Sequence, residues 1–116
     1  MFNHSKKALA YSLAGLRTAF NEEETFRLVL LQLALAVVFL IIFPLSYAQK
    51  AFLLISAFLC LIVEFLNSAL ENIVDLVTND WHILAKKAKD MGSAAQLAAQ
   101  VSFCAQILLI IWESTG

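Results

Sequence analysis

Glu64, Asn67, Glu71 and Asp75 interrupt an otherwise apolar stretch, residues 51–77, AFLLISAFLCLIVEFLNSALENIVDLV. At about 100° per residue on a helix these four positions fall within an arc of about 80°, with Ser68 at its border. A carboxylate placed in hydrocarbon costs at least about 2.5 kcal/mol, so it is tolerated mainly where it faces a polar interior and has a partner or a task. Carboxylates offer hard oxygen ligands to a divalent metal, and the deepest of them, Glu64, is able to accept a proton from a hydroxyl that arrives from within the bilayer. Two other tasks exist for such a line. Interhelical hydrogen bonding contributes typically about 0.6 kcal/mol per bond, too little to account for two glutamates. A proton or ion relay would need ionisable groups deep in a neighbouring span, and the last apolar stretch carries none.

The elements that must position this line are transmembrane helices. Of 116 residues 61% are apolar and only 15% charged, and the mean hydropathy is +0.80, too apolar for a domain whose whole surface is wetted by water. The expected fold is an all-α membrane protein, one domain over residues 1–116, with spans at about 28–48, 51–77 and 91–112. The first of these matches the roughly 20 residues needed to cross the hydrocarbon. Pro44 marks a termination or a kink in the first span, and 46–50 is expected as a turn between antiparallel helices. Trp112 closes the third span as an interfacial aromatic. Leu9, Leu13, Leu16 and Phe20 recur at helical spacing among Lys6, Lys7 and Arg17, which predicts an amphipathic surface helix over about 5–24; an unstructured basic tail is the alternative. Residues 80–90, DWHILAKKAKD, read as a helical turn on the inner leaflet.

Lys6, Lys7, Arg17 and Arg27 precede the first span and Lys86, Lys87 and Lys89 lie between the second and third, against Lys50 alone on the other side. The positive-inside rule then places the N-terminus and residues 78–90 in the cytoplasm and the C-terminus outside. Residues 1–27 hold no continuous apolar core, so a cleaved signal peptide is not expected. The net charge is −1 and no basic, aromatic-interleaved cluster exists, which argues against nucleic acid as a partner. Cys60 and Cys104 sit in apolar runs without metal-ligand or CxxC spacing and are expected as free thiols. Three helices enclose little space, so a site with many ligands calls for several copies of the chain.

Glu22, Glu23 and Glu24 stand just before the first span, and Lys89 and Asp90 just before the third, at the same level as Glu71 and Asp75. Carboxylates from separate helices together with a lysine are what magnesium and a nucleoside triphosphate require. With Glu64 as a proton acceptor the implied chemistry is phosphoryl transfer onto a lipid alcohol. The only glycines are Gly15, Gly92 and Gly116, so neither GxxxxGK nor a kinase GxGxxG is present and any kinase here has another architecture. In the third span Gln96, Gln100, Gln106 and the small residues Gly92, Ala94, Ala95, Ala98 and Ala99 are expected to pack helices. Ser93 stands apart, three residues after Asp90 on a shared face.

The run EFLNSALENIVD from Glu64 to Asp75, then His82, then AKDMGSAA from Ala88 to Ala95, resembles the bacterial integral-membrane diacylglycerol kinase family. Tyr11, Ser12, Gly15, Leu16, Arg17, Phe26 and Arg27 extend the resemblance over nearly the whole chain. It implies a homotrimer in the bacterial cytoplasmic (inner) membrane, with composite sites at subunit interfaces that transfer the γ-phosphoryl group of ATP to diacylglycerol. By matching position, Glu64 resembles the general base, Asn67 its companion, and Glu23 and Glu71 the magnesium ligands, which also contact the nucleotide. Lys89 and Asp90 are similar to phosphate and nucleotide contacts, Tyr11 and Ser12 to residues beside the nucleotide, and Ser93 to one at the lipid or phosphate end. Family members usually show Asn-Glu where this chain has Glu22, Glu23 and Glu24; counts from either flanking motif select Glu23. An arginine that family members can carry near the N-terminus has no counterpart, His4 falling nearest, which leaves Lys7 to share that nucleotide contact. Undecaprenol, used by related enzymes, is the alternative substrate, and a non-enzymatic channel or interaction protein is the alternative of another class.

Overall fold

The structure is a computed structural model that describes residues 2–116, with side chains from His4 onward. Four helices follow one another: α1 (Phe2–Glu22), α2 (Glu24–Ile42), α3 (Tyr47–Val77) and α4 (Ile83–Thr115). The last three are long and apolar enough to cross a membrane. With 19 residues, α2 extends about 29 Å, close to the roughly 30 Å of hydrocarbon. The 31 residues of α3 and 33 of α4 extend about 46 and 50 Å, so part of each must project beyond the apolar layer. The charged ends of α3 and α4 are the parts suited to project.

Local sequence explains where each helix stops. The backbone of Phe43 is extended (φ −90°, ψ 146°), as the clash with the following Pro44 ring requires. Pro44 thus ends α2 rather than kinking it, six residues before the expected limit at 48. Ser46 then caps α3: its hydroxyl accepts from Gln49 N at 3.1 Å while Gln49 Oε1 accepts from Ser46 N at 2.9 Å. This reciprocal capping box starts the helix at Tyr47, so residues 47–50, expected as a turn, form the first turn of α3. His82 caps α4, its Nδ1 accepting from Leu84 N at 3.1 Å. Residues 83–90, expected as a separate surface turn, are the opening turns of α4, because alanines and lysines there favour continuation and no breaker intervenes.

The break between α1 and α2 falls at Glu23, which is extended (φ −114°, ψ 107°). Arg27 Nη1 donates to Phe20 O at 2.7 Å, satisfying one of the orphan carbonyls at the C-terminus of α1. In the packed bundle α3 is central, against α2 on one side and most extensively against α4. Ala19, Phe26, Val29, Cys60, Leu61 and Ala99 form one core cluster, drawing on all four helices, and Ala36, Leu53, Ala57 and Ile110 form a second. The Phe26 and Phe65 rings lie 4.6 Å apart in a tilted contact. The Gln32 and Gln100 side-chain amides pair reciprocally, each Nε2 donating to the other's Oε1 at 2.9 Å, and so tie α2 to α4. At the far end Gln49 Nε2 donates to Glu113. Both cysteines are free, Cys60 buried and Cys104 exposed. Leu9, Leu13, Leu16 and Phe20 of α1 are exposed in the single chain.

Candidate active site

The i, i+3, i+4 spacing on α3 turns Glu64, Asn67, Ser68 and Glu71 toward one groove. Its walls are completed by Glu23 and Thr25 at the start of α2 and by Ser93, Gln96, Leu97 and Gln100 on α4. Five of the expected site residues therefore meet: Glu23, Glu64, Asn67, Glu71 and Ser93. They differ in depth. Glu64 is only 4% exposed, whereas Asn67, Glu71 and Glu23 are half-buried and Ser93 is exposed.

Glu64 is buried but not unpartnered. Gln96 Nε2 donates to Glu64 Oε2 at 2.7 Å and to the Cys60 carbonyl, one turn earlier on α3, at 3.2 Å. Asn67 Nδ2 donates to Glu71 Oε1 at 3.3 Å across one helical turn. Two buried acceptors, Asn67 Oδ1 and Gln96 Oε1, have no hydrogen-bond partner, and both belong to residues lining this groove. Unsatisfied buried oxygens are uncommon in folded proteins.

Gly92 belongs to the same arrangement although its type carries no chemistry. A Cβ built there would overlap Asn67 Oδ1, and it would lie 2.9 Å from Leu70 Cδ2 and 3.2 Å from Asn67 Cγ. Only glycine lets the α4 backbone approach Asn67 this closely.

Lys89 and Asp90 lie apart from the groove, in a neighbouring cleft with Asn79, Asp80, Trp81, His82 and Lys86. Lys89 Nζ pairs with Asp75 Oδ1 at 2.8 Å and Lys86 Nζ with Asp90 Oδ2 at 2.6 Å. Asp75, which continues the polar face of α3, thus anchors α3 to α4 at the charged end, and Ser93 does not share a cavity with Asp90. Lys7, Tyr11 and Ser12 are exposed on α1, with the Ser12 hydroxyl donating to Ala8 O at 2.9 Å; none of the three lines the groove. Gln96 was expected only to pack helices. Its spacing gave one clue, three residues after Ser93 and four before Gln100, but which helix it would face was not readable from spacing.

The sequence pattern of the prokaryotic diacylglycerol kinase family matches residues 10–111. The chain belongs to this family. It is 37% identical over 115 residues to a diacylglycerol kinase of Escherichia coli strain K12, covering 99% of this chain and 94% of the relative. Identity is 44% over 101 residues to a diacylglycerol kinase of Helicobacter pylori, covering 83% of this chain and 75% of the relative. It is 48% over 93 residues to one of Pseudomonas aeruginosa, covering 79% and 75%. Of the candidate site residues, only Lys7 lies outside the matched stretch.

Proposed function

We propose that this chain is an ATP-dependent lipid kinase that transfers the γ-phosphoryl group of ATP to the free hydroxyl of diacylglycerol, giving phosphatidic acid. The observation that carries this reading is the position of Glu64 in a chain of this family: a buried carboxylate, hydrogen-bonded by Gln96, in a groove shared with Asn67, Glu71, Glu23 and Ser93. A relay reading fares worse, because α4 carries no Asp, Glu, Lys, Arg or His from Met91 to Trp112.

Depth along α3 supports a division of labour. Counted from Tyr47 at 1.5 Å per residue, Glu64 lies about 26 Å and Glu71 about 36 Å along the axis, on either side of the roughly 30 Å hydrocarbon limit. Glu64 is thus within reach of a lipid hydroxyl, and Glu71 of water and a soluble nucleotide. Among the described residues no three His, Cys, Asp or Glu side chains converge into a metal cage. Magnesium needs none, since it is usually held by one or two carboxylates together with substrate phosphates and waters. Glu23 and Glu71, both lining the groove, suit that role. When bound, the metal would neutralise charge on the phosphates.

In the proposed step the lipid hydroxyl oxygen forms a bond to the γ-phosphorus while the bond to the β,γ-bridging oxygen breaks. The hydroxyl proton passes to Glu64, and ADP leaves. Asn67 orients the reacting groups, Ser93 contacts the lipid or phosphate end, and Lys89 and Asp90 contact the phosphates and nucleotide. For Lys89 this requires release from Asp75, an exchange made easy by an exposed ion pair of small net strength. Lys7, Tyr11 and Ser12 would approach the nucleotide from a surface helix, α1 lying on the membrane through Leu9, Leu13, Leu16 and Phe20. A homotrimer in the inner membrane, with cytoplasmic N-termini, completes the proposal. It is supported by the Lys and Arg asymmetry and by a groove whose Ser93 side remains exposed in one chain.

Competition between diacylglycerol and undecaprenol in mixed detergent micelles tests the substrate. Preferential phosphorylation of diacylglycerol is expected, and preferential labelling of undecaprenol would reassign it. Gly92→Ala tests the close approach of α4 to Asn67. Because the new methyl displaces Asn67, the transfer rate is expected to fall by about 10- to 100-fold, the effect of misplacing a reacting group by about 1 Å. An unchanged rate would show that Asn67 has no orienting role.

A further inference from the structure

Three glutamines, Gln32, Gln96 and Gln100, bond across the helices of the bundle, and they do not use their amides alike. Gln32 and Gln100 face each other across α2 and α4 and satisfy one another at both the oxygen and the nitrogen. That is how an amide serves as helix glue. Gln96, one turn from Gln100 on α4, turns both N–H groups of its Nε2 to α3, one to the Cys60 carbonyl at 3.2 Å and one to Glu64 Oε2 at 2.7 Å. Its own Oε1 is buried without a partner.

The assignment of nitrogen and oxygen follows from the partners. Flipping the amide would set Gln96 Oε1 against a carbonyl oxygen and a carboxylate oxygen at once, two acceptors facing an acceptor. The Cys60 carbonyl therefore acts as a clamp that fixes the rotation of the amide, and the clamped amide presents its remaining N–H to the carboxylate. A glutamine selected for packing alone would not leave its oxygen orphaned, since an unmade buried hydrogen bond is costly. The arrangement favours one group, the Glu64 carboxylate.

We infer that Gln96 is a positioning residue for phosphoryl transfer: clamped by the Cys60 carbonyl, it holds the Glu64 carboxylate through Oε2 and leaves Oε1 to take the proton from the lipid hydroxyl. Among the described residues Glu64 Oε1 has no hydrogen-bond partner, as a proton-accepting oxygen requires. At 2.7 Å the Gln96 Nε2 to Glu64 Oε2 bond is at the short, well-made end of the N–H···O range. The inference rests on the proposed role of Glu64 as the base.

Gln96→Met tests it, because methionine keeps the length and the unbranched shape while removing both donors. Gln96→Glu is the companion variant, nearly isosteric and polar, in which a carboxylate replaces the donor and repels Glu64. With purified full-length protein in micelles, kcat is expected to fall about 10- to 100-fold in Gln96→Met, the effect of losing one hydrogen bond to a charged group. It should fall at least as far in Gln96→Glu. KM for ATP and for diacylglycerol should stay within about twofold of the parent, since only the base is misplaced and no binding contact is lost. A purely structural role would instead lower the amount of folded protein and change kcat per folded molecule little. If Gln96→Met does not fold, Gln96→Glu decides by the same criterion. A kcat within twofold of the parent in a folded variant overturns the inference, and so does a loss that appears in KM alone. Glu64→Gln assayed in parallel separates the two levels. If it is inactive while the Gln96 variants are unimpaired, only the positioning role falls; if it is active, the base assignment falls and the role of Gln96 falls with it.

Discussion

Glu64→Gln is expected to lower the rate of phosphoryl transfer by about a thousandfold while leaving the protein folded. The size follows from the loss of a general base, which contributes about 10²- to 10⁴-fold. The survival of the fold follows from geometry. A glutamine at 64 still offers an oxygen to Gln96 Nε2, now 2.7 Å from Glu64 Oε2, so the α3–α4 contact persists. The variant also removes a carboxylate that is only 4% exposed and therefore expensive to bury. Its thermal midpoint in detergent should equal or exceed that of the parent. Steady-state rates and unfolding curves on the same preparation make the check: near-parental turnover would place the base elsewhere, and a collapsed midpoint would show that the charge itself holds the helices.

The second large effect is expected at Glu71. Glu71→Gln should shift the magnesium titration of the rate to higher concentration by at least about tenfold. Even residues that only support a metal ligand change affinity by about 10- to 100-fold, and loss of a direct carboxylate ligand should do no less. The hydrogen bond from Asn67 Nδ2 to Glu71 Oε1, 3.3 Å long, can re-form to the amide oxygen, so the local structure of α3 is retained. A parallel experiment with Glu23→Gln should give a shift of the same direction, because the two carboxylates share the groove and would share the ion. Titration curves that superimpose on the parent would remove either residue from the ligand set.

Much of this site was legible in the chain because it depends on one periodicity. Glu64, Asn67, Ser68 and Glu71 lie on one face of any helix that contains them, and α3 turns that face into the groove. The helix ends were legible in principle from local chemistry. Pro44 ends α2 through its effect on Phe43, and Ser46 with Gln49 spells a capping box. An apolar run extending to residue 48 obscured both signals, since hydropathy does not stop where a helix does. The continuity of α4 through residues 83–90 was hidden in the same way, by a change from charged to apolar residues within one helix.

What spacing could not supply was the pairing between helices. Nothing local to Gln96 distinguishes it from Gln100, yet one faces a carboxylate and the other an amide. Lys89 carries a charge suited to phosphate, and in the structure it is engaged by Asp75 from the neighbouring helix. Gly92 looked like part of a small-residue stripe for packing, but its lack of a Cβ makes room for one particular side chain, Asn67. Each of these depends on the rotation of α4 against α3, a tertiary property set by the whole buried seam.

The most direct test of the account follows the phosphorus atom. Purified full-length protein in detergent micelles, given ATP labelled at the γ-phosphate, magnesium and diacylglycerol, should produce labelled phosphatidic acid, and the folded Glu64→Gln variant should produce about a thousandth as much. Absence of any labelled lipid with the parent protein, or equal labelling by the two, would contradict it.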